Sequence, residues 1–218
     1  MIRVVVADDE ALIRAGIQAV LGNDDDIEVV GDAADGRQAV ELVLRHRPQV
    51  AVLDIQMPEL DGIATTAEVL RLAPATAVVI LTTFGDDEYI AGALAAGATG
   101  FVLKAGDPRE LLQAVRAVTD GAAFLSPRIA HRVIKKLTAT DQPRHRRAAE
   151  QIAELSDRDR DVLALLGRGL PNAAIAAELN LTEGTVKVYV SSLLAKLGVE
   201  NRVRAAILAY EAGLVEQG

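Results

Sequence analysis

The chain has 218 residues, half of them hydrophobic, with three histidines and no cysteine, which excludes disulfide bonds and thiol catalysis and disfavours a structural zinc site. Its apolar runs fall short of the roughly 20 residues that a membrane-spanning helix needs, and its first residues lack the sections of a signal peptide, so we expect a cytoplasmic protein without a membrane segment. Residues 1–120 hold 9 Lys/Arg against 20 Asp/Glu and residues 121–218 hold 14 against 11, a distribution expected if only the second half meets a polyanion, although surface charge also varies without such a cause.

Short apolar runs alternate with segments of helical spacing over the first 120 residues. Runs of this kind are typical of buried parallel strands. Alternation of strand and helix predicts an α/β domain with a doubly wound five-stranded parallel sheet. We predict a last helix over Glu110–Thr119 and strands near 2–7, 27–33, 50–53, 77–81 and 100–103.

Polar residues stand where four of these apolar runs stop. They are Asp8, Asp9, Asp54, Thr82 and Lys104. The chemistry of such sheets gathers at the C-terminal ends of the strands, so we expect these side chains to converge. Neighbouring aspartates repel one another unless a cation neutralises them. We therefore predict a Mg²⁺ site formed by Asp8, Asp9, Asp54 and the backbone carbonyl of Gln56.

A carboxylate held beside Mg²⁺ can attack phosphorus to form an aspartyl phosphate. We assign this role to Asp54, with Lys104 and the Thr82 hydroxyl stabilising the phosphoryl oxygens. The alternative chemistry is an aspartate-nucleophile phosphatase, which needs a second Asp two positions later as general acid. That position holds Gln56, which favours a stable or slowly hydrolysed phospho-aspartate and a protein that is not an enzyme.

Four motifs carry the pocket residues. They are Ala7–Glu10, Leu53–Pro58 followed by Asp61-Gly62, Leu81–Thr83, and Gly100–Lys104. With them, residues 1 to about 120 resemble the receiver domain of two-component response regulators. The resemblance implies a flavodoxin-like fold in which a sensor histidine kinase phosphorylates Asp54.

The same resemblance implies that Thr82 and Phe101 form a switch pair. For Phe101 the alternative is an ordinary buried aromatic residue of a strand. Ala105 stands where many receivers have proline. A cis peptide before it is therefore in doubt, because a non-proline cis bond costs about 2.5–4 kcal/mol.

The next segment is helical and basic. Ser126 and Pro127 predict the start of a helix reaching Leu137, and the polar stretch Thr138–Glu150 predicts an interdomain linker. We divide the chain into a receiver domain of residues 1–121, a linker of 122–152 and an all-helical domain of 153–218. The basic residues of this segment are expected to be solvated linker charge, with phosphate contact as the alternative; they are Arg128, Arg132, Lys135, Lys136, Arg144, Arg146 and Arg147.

The all-helical domain shows a helix, a tight turn and a second helix. Ser156 with Asp159 resembles a capping box and begins a first helix. A short helix then runs from Pro171 to a turn at Asn180, and Thr182 caps a longer helix. A last helix is predicted from about Arg202 to Ala212.

Three motifs in this domain resemble the LuxR-type helix-turn-helix. They are Leu155–Asp159, Gly169–Asn172 with Ile175-Ala176, and Gly184–Lys187 through Lys196–Gly198. The whole chain therefore resembles a response regulator of the NarL/FixJ type. The resemblance implies contact with the base edges of double-stranded DNA from Lys187, Val188 and Ser191, and contact with its phosphates from Thr185, Tyr189 and Lys196.

The sequence departs from the family pattern at two places that bear on these DNA contacts. Tyr189 stands where histidine is frequent, and Pro171–Ala174 lacks the usual Ser and Glu. On an unassigned helix, Lys187 and Lys196 would be taken as solvated charge.

We predict a transcription regulator that is controlled by phosphorylation of Asp54 and binds an operator as a homodimer. Two half-sites about 10 bp apart need two copies of the recognition helix. Ala206 and Ala209 are candidates for the dimer contact, with packing inside the domain as the alternative. Two other functions remain open: a phosphotransfer element whose second domain binds protein or RNA, and a DNA-binding protein that works without phosphorylation.

Overall fold

The computed structural model describes residues 1–83, 87–138 and 142–215. These residues form two compact units. The first contains Met1–Thr119 and Phe124–Arg132, and the second contains Asp120–Ala123 and the chain from Val133 onwards. Within the described residues, no helix is both long and apolar enough to cross a membrane.

The first unit is built on a parallel sheet. Its strands are β1 (Ile2–Ala7), β2 (Ile27–Ala33), β3 (Val50–Asp54), β4 (Ala77–Thr82), β5 (Gly100–Leu103) and β6 (Phe124–Leu125), in the spatial order β2-β1-β3-β4-β5-β6. The predicted parallel sheet is confirmed, but the prediction of five strands was wrong. The sixth strand has two residues and pairs with β5, which is too short to produce a periodic sequence pattern.

Helices connect the strands of this sheet. They are α1 (Ala11–Leu21), α2 (Gly36–His46), α3 (Gly62–Leu72), α4 (Asp87–Ala95) and α5 (Pro108–Thr119), followed by α6 (Pro127–Thr138). Side-chain caps begin two of them: Asp35 accepts from the Gln38 amide and Asp61 from the Ala64 amide, both at 2.8 Å. The helix predicted from Glu110 starts two residues earlier, at Pro108, which suits the first helical position because it needs no amide donor.

The core of the first unit explains the apolar runs. Val4, Val52 and Val79 of the central strands are fully buried, and they pack with residues of α1 and α5 on one face of the sheet. Helix α3 packs beside α2 and α4. Strands covered on both faces bury consecutive residues, so their sequences are continuously apolar and not alternating.

The register of the sheet brings the ends of four neighbouring strands, β1, β3, β4 and β5, together. Ala7 pairs with Leu53, Asp54 with Leu81, and Thr82 with Leu103. The Lys104 amide then donates to the Thr82 carbonyl at 2.9 Å. The residues that follow the apolar runs therefore lie at one edge of the sheet, where chemistry is expected in this class of fold.

The second unit is helical, as predicted. It contains α7 (Gln142–Ala153), α8 (Asp157–Gly167), α9 (Asn172–Leu179), α10 (Glu183–Leu197) and α11 (Arg202–Glu211). Asn180, in the left-handed conformation with φ 54°, ends α9, and the Thr182 hydroxyl caps α10. The inward face of α10 buries Val186, Leu193 and Leu197, which seats the helix-turn-helix on the core of this unit.

One assignment in this region changes, that of Ala209, and the domain bounds stay a prediction. Within the predicted linker, 142–152 lie in α7, because Ala148 and Ile152 are buried in the core of the second unit. Ala209 is also fully buried in that core, so packing inside the unit accounts for it and the dimer-contact assignment is wrong for this residue. Ala206 is half-buried, and Arg128, Arg132 and Arg147 are exposed. The side chains of Lys135, Lys136, Arg144 and Arg146 lie outside the described part.

Gly62 allows α3 to begin directly against the end of β3. Its amide donates to the Ile55 carbonyl at 2.8 Å, and an added Cβ would lie 2.0 Å from the Asp54 carbonyl oxygen. No side chain fits there without displacing the main chain that carries Asp54.

We expect Gly62→Ala to lower the free energy of unfolding by about 1–3 kcal/mol, the usual range for overpacking. Chemical denaturation of the full chain measures this change. Gly16→Ala is the matched control, because Gly16 lies inside α1 with no atom within 4 Å of an added Cβ, and alanine there should stabilise the helix by up to about 1 kcal/mol. Equal effects of the two substitutions would contradict this account.

Candidate functional site

A buried lysine joins two buried carboxylates at the edge of the first unit's sheet. Lys104 Nζ lies 2.7 Å from Asp8 Oδ2 and 3.0 Å from Asp54 Oδ1. The three side chains are 7%, 0% and 7% exposed. The two carboxylates come from β3 and from the end of β1, so the ammonium group neutralises charges that would otherwise repel one another in a poorly solvated place.

The protonation of this cluster follows from burial and pairing. Burial raises the pKa of the Asp54 carboxyl, and the contact with Lys104 only partly offsets this rise. Burial alone would lower the pKa of Lys104, but its hydrogen bonds to Asp8 and Asp54 outweigh that effect and raise it. Lys104 therefore keeps its proton, while Asp54 is a more basic carboxylate than an exposed aspartate.

Carboxylates suited to a divalent cation lie beside this pair. Oxygens of Asp8, Asp9 and Glu10 lie within 4.8 Å of one another, and Glu10 Oε1 is also 4.0 Å from Lys104 Nζ. A set of carboxylate oxygens open to water on two of three residues fits Mg²⁺, which keeps several water ligands. Asp8 and Asp9 are predicted ligands, and the group also contains Glu10, which directly follows them in the chain and was not among the predicted ligands.

The other predicted ligands lie differently. The Asp54 carboxylate is held against Lys104 and does not belong to the group formed by Asp8, Asp9 and Glu10. The Gln56 side chain is exposed, and its amide donates to the Tyr89 hydroxyl at 3.4 Å. Gln56 and Tyr89 both border a cavity of ≈ 380 Å³ beside the end of β3. Metal ligation by Asp54 and the Gln56 carbonyl stays a prediction.

Thr82 and Phe101, the predicted switch pair, lie on neighbouring strands. Thr82 ends β4 and is 4% exposed, while Phe101 in β5 is fully buried and faces Ile80 in the register. The Phe101 carbonyl accepts from the Ser126 amide at 2.9 Å, which ties β5 to the start of α6. The peptide bond between Lys104 and Ala105 is trans.

In the second unit, the solvent-exposed face of α10 carries both polar and apolar side chains. Lys187, Val188, Tyr189 and Ser191 are exposed, and Val188 is 70% exposed despite its apolar side chain. Lys187 Nζ pairs with Glu183 at 2.9 Å, one helical turn earlier, and the Ser191 hydroxyl donates to the Lys187 carbonyl at 2.9 Å. The Thr182 hydroxyl accepts from the Thr185 amide at 3.2 Å, so it satisfies one of the free amides at the start of the helix.

Lys196 at the other end of α10 has a protein partner. Its ammonium group lies 2.7 Å from Asp159 Oδ2, which also accepts from the Ser156 hydroxyl at 2.7 Å. The hydrogen bonds from Lys196 and Ser156 lower the pKa of Asp159. The contact joins the start of α8 to the end of α10, which the sequence prediction of a phosphate contact did not include.

Comparison with known proteins gives two family matches. Residues 4–116 match the response regulator receiver domain, and residues 153–209 match the luxR family of bacterial regulatory proteins. The chain is 40% identical over 211 residues to the DNA-binding transcriptional activator DevR/DosR of Mycobacterium tuberculosis, covering 97% of this chain and 95% of that protein. It is 36% identical to the uncharacterized transcriptional regulatory protein YxjL of Bacillus subtilis, covering 99% and 98%. Among solved structures, the response regulator ChrA of a heme-sensing two-component system is 36% identical, with a TM-score of 0.54 and 98% of both chains covered.

We expect Lys104→Met to raise the pKa of Asp54 further, because it removes the charge and hydrogen bond that oppose the effect of burial. Carboxyl NMR titration of Asp54 without Mg²⁺ measures this shift. Arg71→Met is the control, since Arg71 pairs with the exposed Glu68 of α3 and should leave Asp54 unchanged. A pKa of Asp54 that stays constant or falls in Lys104→Met would contradict the assigned role of the lysine.

We expect Asp159→Asn to lower the free energy of unfolding by about 1 kcal/mol at neutral pH, through loss of a charged hydrogen bond that is partly exposed to solvent. The folded-state pKa of Asp159 is depressed, so its stabilising contribution is present above the unfolded pKa of about 3.9 and is lost as pH falls through the folded value. Denaturation at a series of pH values should show wild type and variant converging in acid.

Lys187→Gln is the matched control for Asp159→Asn, because it breaks an exposed pair within one helix that is worth about 0.2–0.5 kcal/mol. A difference between wild type and Asp159→Asn that does not depend on pH would show that the ion pair is not its source.

Proposed function

This chain belongs to the bacterial response regulators with a LuxR-type DNA-binding domain, and we propose that phosphorylation of Asp54 by a sensor histidine kinase controls its binding to operator DNA. The observation that carries the proposal is the position of Asp54. It lies at the end of a central strand, held by Lys104 and next to a group of three acidic residues. A buried aspartate with a structural role needs a cationic partner such as Lys104, but it does not need the neighbouring acidic group.

We propose that the phosphoryl transfer uses Asp54, Lys104 and Thr82, which lie at the same edge of the sheet. An Asp54 oxygen forms a bond to phosphorus while the bond from phosphorus to the histidine nitrogen of the kinase breaks. Lys104 then exchanges its contact with Asp54 for one with a phosphoryl oxygen, and the Thr82 hydroxyl donates to another. When bound by the acidic group, with Asp54 and the Gln56 carbonyl as further ligands, Mg²⁺ supplies positive charge to the phosphoryl oxygens.

Phosphorylation changes the balance of charges around Lys104. A phosphoryl group brings negative charge and new acceptor oxygens, so the Thr82 hydroxyl is drawn toward it. Thr82 and Phe101 lie on adjacent strands. We propose this pair as the element whose two arrangements are biased by phosphorylation.

The exposed face of α10 supports a role in reading DNA. We propose that Lys187 and Ser191 form hydrogen bonds with base edges and that Val188 contacts an apolar base edge such as a thymine methyl group. Thr185, Tyr189 and Lys196 are proposed to contact phosphates. Lys187 and Lys196 must then weaken their contacts with Glu183 and Asp159, so each contributes less affinity than a free lysine.

We propose that two copies bind one operator. A single recognition helix spans few base pairs, and half-sites about 10 bp apart require two helices related by symmetry. Ala206 of α11 remains a candidate for the contact between the copies. The same arrangement makes affinity depend on any change in the first unit that favours pairing.

We expect an acyl-phosphate donor with Mg²⁺ to tighten binding of the full chain to DNA fragments selected from its source genome by at least about fivefold, the lower end of typical coupling between sites. Asp54→Asn should bind with the unphosphorylated affinity whether or not the donor is present. Fluorescence anisotropy at one fixed salt concentration measures both, because binding to DNA depends steeply on salt.

Lys187→Gln serves as the second variant in this experiment. It should lose affinity for selected fragments relative to scrambled ones while the response to the donor remains. If wild type binds DNA tightly, and its affinity is the same with and without the donor and the same as that of Asp54→Asn, control by phosphorylation is rejected. Absence of any preference among DNA fragments would reject the role in transcription.

A further inference from the structure

Arg14 of α1 reaches back to the main chain of the acidic residues. Its guanidinium group donates to the Asp8 carbonyl at 2.8 Å and to the Asp9 carbonyl at 3.4 Å. On its other side it pairs with Asp32 at 3.3 Å, at the end of β2. The Arg14 side chain is 17% exposed, so most of it is fixed among these partners.

The segment that Arg14 contacts is short, and Arg14 holds the carbonyls of its first two residues. Three residues, Asp8 to Glu10, connect the end of β1 to the start of α1. Glu10 occupies the position before the helix and makes no side-chain cap. Other restraints act at its two ends. At Asp8, the amide donates to the Ala33 carbonyl at 3.2 Å and the carboxylate pairs with Lys104 at 2.7 Å. At Glu10, the amide donates to Asp8 Oδ1 at 3.0 Å and the carbonyl accepts from the Arg14 amide at 3.0 Å.

These same three residues carry the carboxylates that lie within 4.8 Å of one another. Like charges at this separation drive the segment toward conformations in which the side chains point apart. A guanidinium group has a planar fork of donors that can hold two acceptors in a fixed geometry. One terminal nitrogen of Arg14 donates to both carbonyls of the segment while Nε pairs with Asp32, so the fork joins the segment to the end of β2. The contacts of Arg14 with the segment are to its carbonyls and not to its carboxylates.

We propose that Arg14 is a positioning residue for divalent-cation binding: it fixes the main chain of Asp8 and Asp9 so that their carboxylates and that of Glu10 converge on one ion. The inference rests on the proposed function in that it takes this group to be the Mg²⁺ site. Arg14 itself does not contact the ion or the phosphoryl group.

The charge of Arg14 and its positioning role have opposite effects on metal affinity. A guanidinium cation close to a divalent cation repels it, so loss of the charge alone would tighten binding. Loss of the hydrogen bonds to the segment would weaken binding. Arg14→Gln removes both, whereas Arg14→Lys keeps the charge and removes the fork.

Isothermal calorimetry of the unphosphorylated full chain with MgCl₂ measures the dissociation constant directly. We expect Arg14→Lys to weaken Mg²⁺ binding by about tenfold, as loss of an outer partner of a metal site typically does. Arg14→Gln should weaken it by less, because loss of the positive charge partly offsets loss of the hydrogen bonds. Arg37→Gln is the matched control, because Arg37 pairs with Glu59 at 3.6 Å and their side chains are 71% and 66% exposed. It should bind like wild type.

Phosphorylation by an acyl-phosphate donor gives the second readout. In Arg14→Lys the rate should approach the wild-type rate at saturating Mg²⁺, because the nucleophile Asp54 and Lys104 are untouched. Asp32→Asn should show a smaller loss of affinity in the same direction, since it removes only the outer anchor of Arg14, and it covers the case in which an Arg14 variant does not fold.

Tighter or unchanged binding in Arg14→Lys and Asp32→Asn, with wild type binding Mg²⁺, would overturn the positioning role and leave the proposed function standing. Absence of Mg²⁺ binding in wild type would overturn both.

Discussion

The first unit depends on the burial of two carboxylates around one ammonium group. Asp8 and Asp54 are almost inaccessible to water, a costly situation for charged groups unless each has a partner. Lys104 supplies that partner from a third strand, and the parallel register places all three at the same edge. A phosphoryl group or a metal ion that enters this edge must rearrange the ion pairs of Lys104 with Asp8 and Asp54. Binding at this edge is therefore expected to depend on the charge of the ligand as well as on its shape.

The second unit uses charged contacts in a related way. Lys196 and Asp159 join α10 to α8, and buried Arg202 of α11 donates to the Leu170 carbonyl before α9. Burial lowers the pKa of Arg202 to about 10, yet it stays protonated at neutral pH. Both contacts anchor the helix-turn-helix, formed by α9 and α10, to two other helices of the unit, α8 and α11. Lys187, Val188 and Ser191 remain on the exposed face of α10, where a ligand can reach them.

Sequence reasoning identified the elements whose pattern extends over several residues. Apolar runs marked five strands, and the acidic and basic residues at their ends were brought together by the sheet register. It missed β6, which is two residues long, and the partners of Lys196 and Arg14, which lie 37 and 18 positions away. Such pairs depend on side-chain directions set by tertiary packing, and periodicity carries no information about them. Glu10 differs from these partners, because its position directly after Asp9 in the sequence could have predicted its place in the acidic group.

The most direct test of the central claim is to locate the phosphoryl group after reaction with an acyl-phosphate donor and Mg²⁺. Intact-mass measurement followed by peptide mapping of acid-stabilised protein identifies the modified residue. We predict one added phosphoryl group, on Asp54, present in wild type and lost in Asp54→Asn. A phosphoryl group on another residue of wild type, or undiminished incorporation in Asp54→Asn, would contradict the assignment of Asp54 as the acceptor.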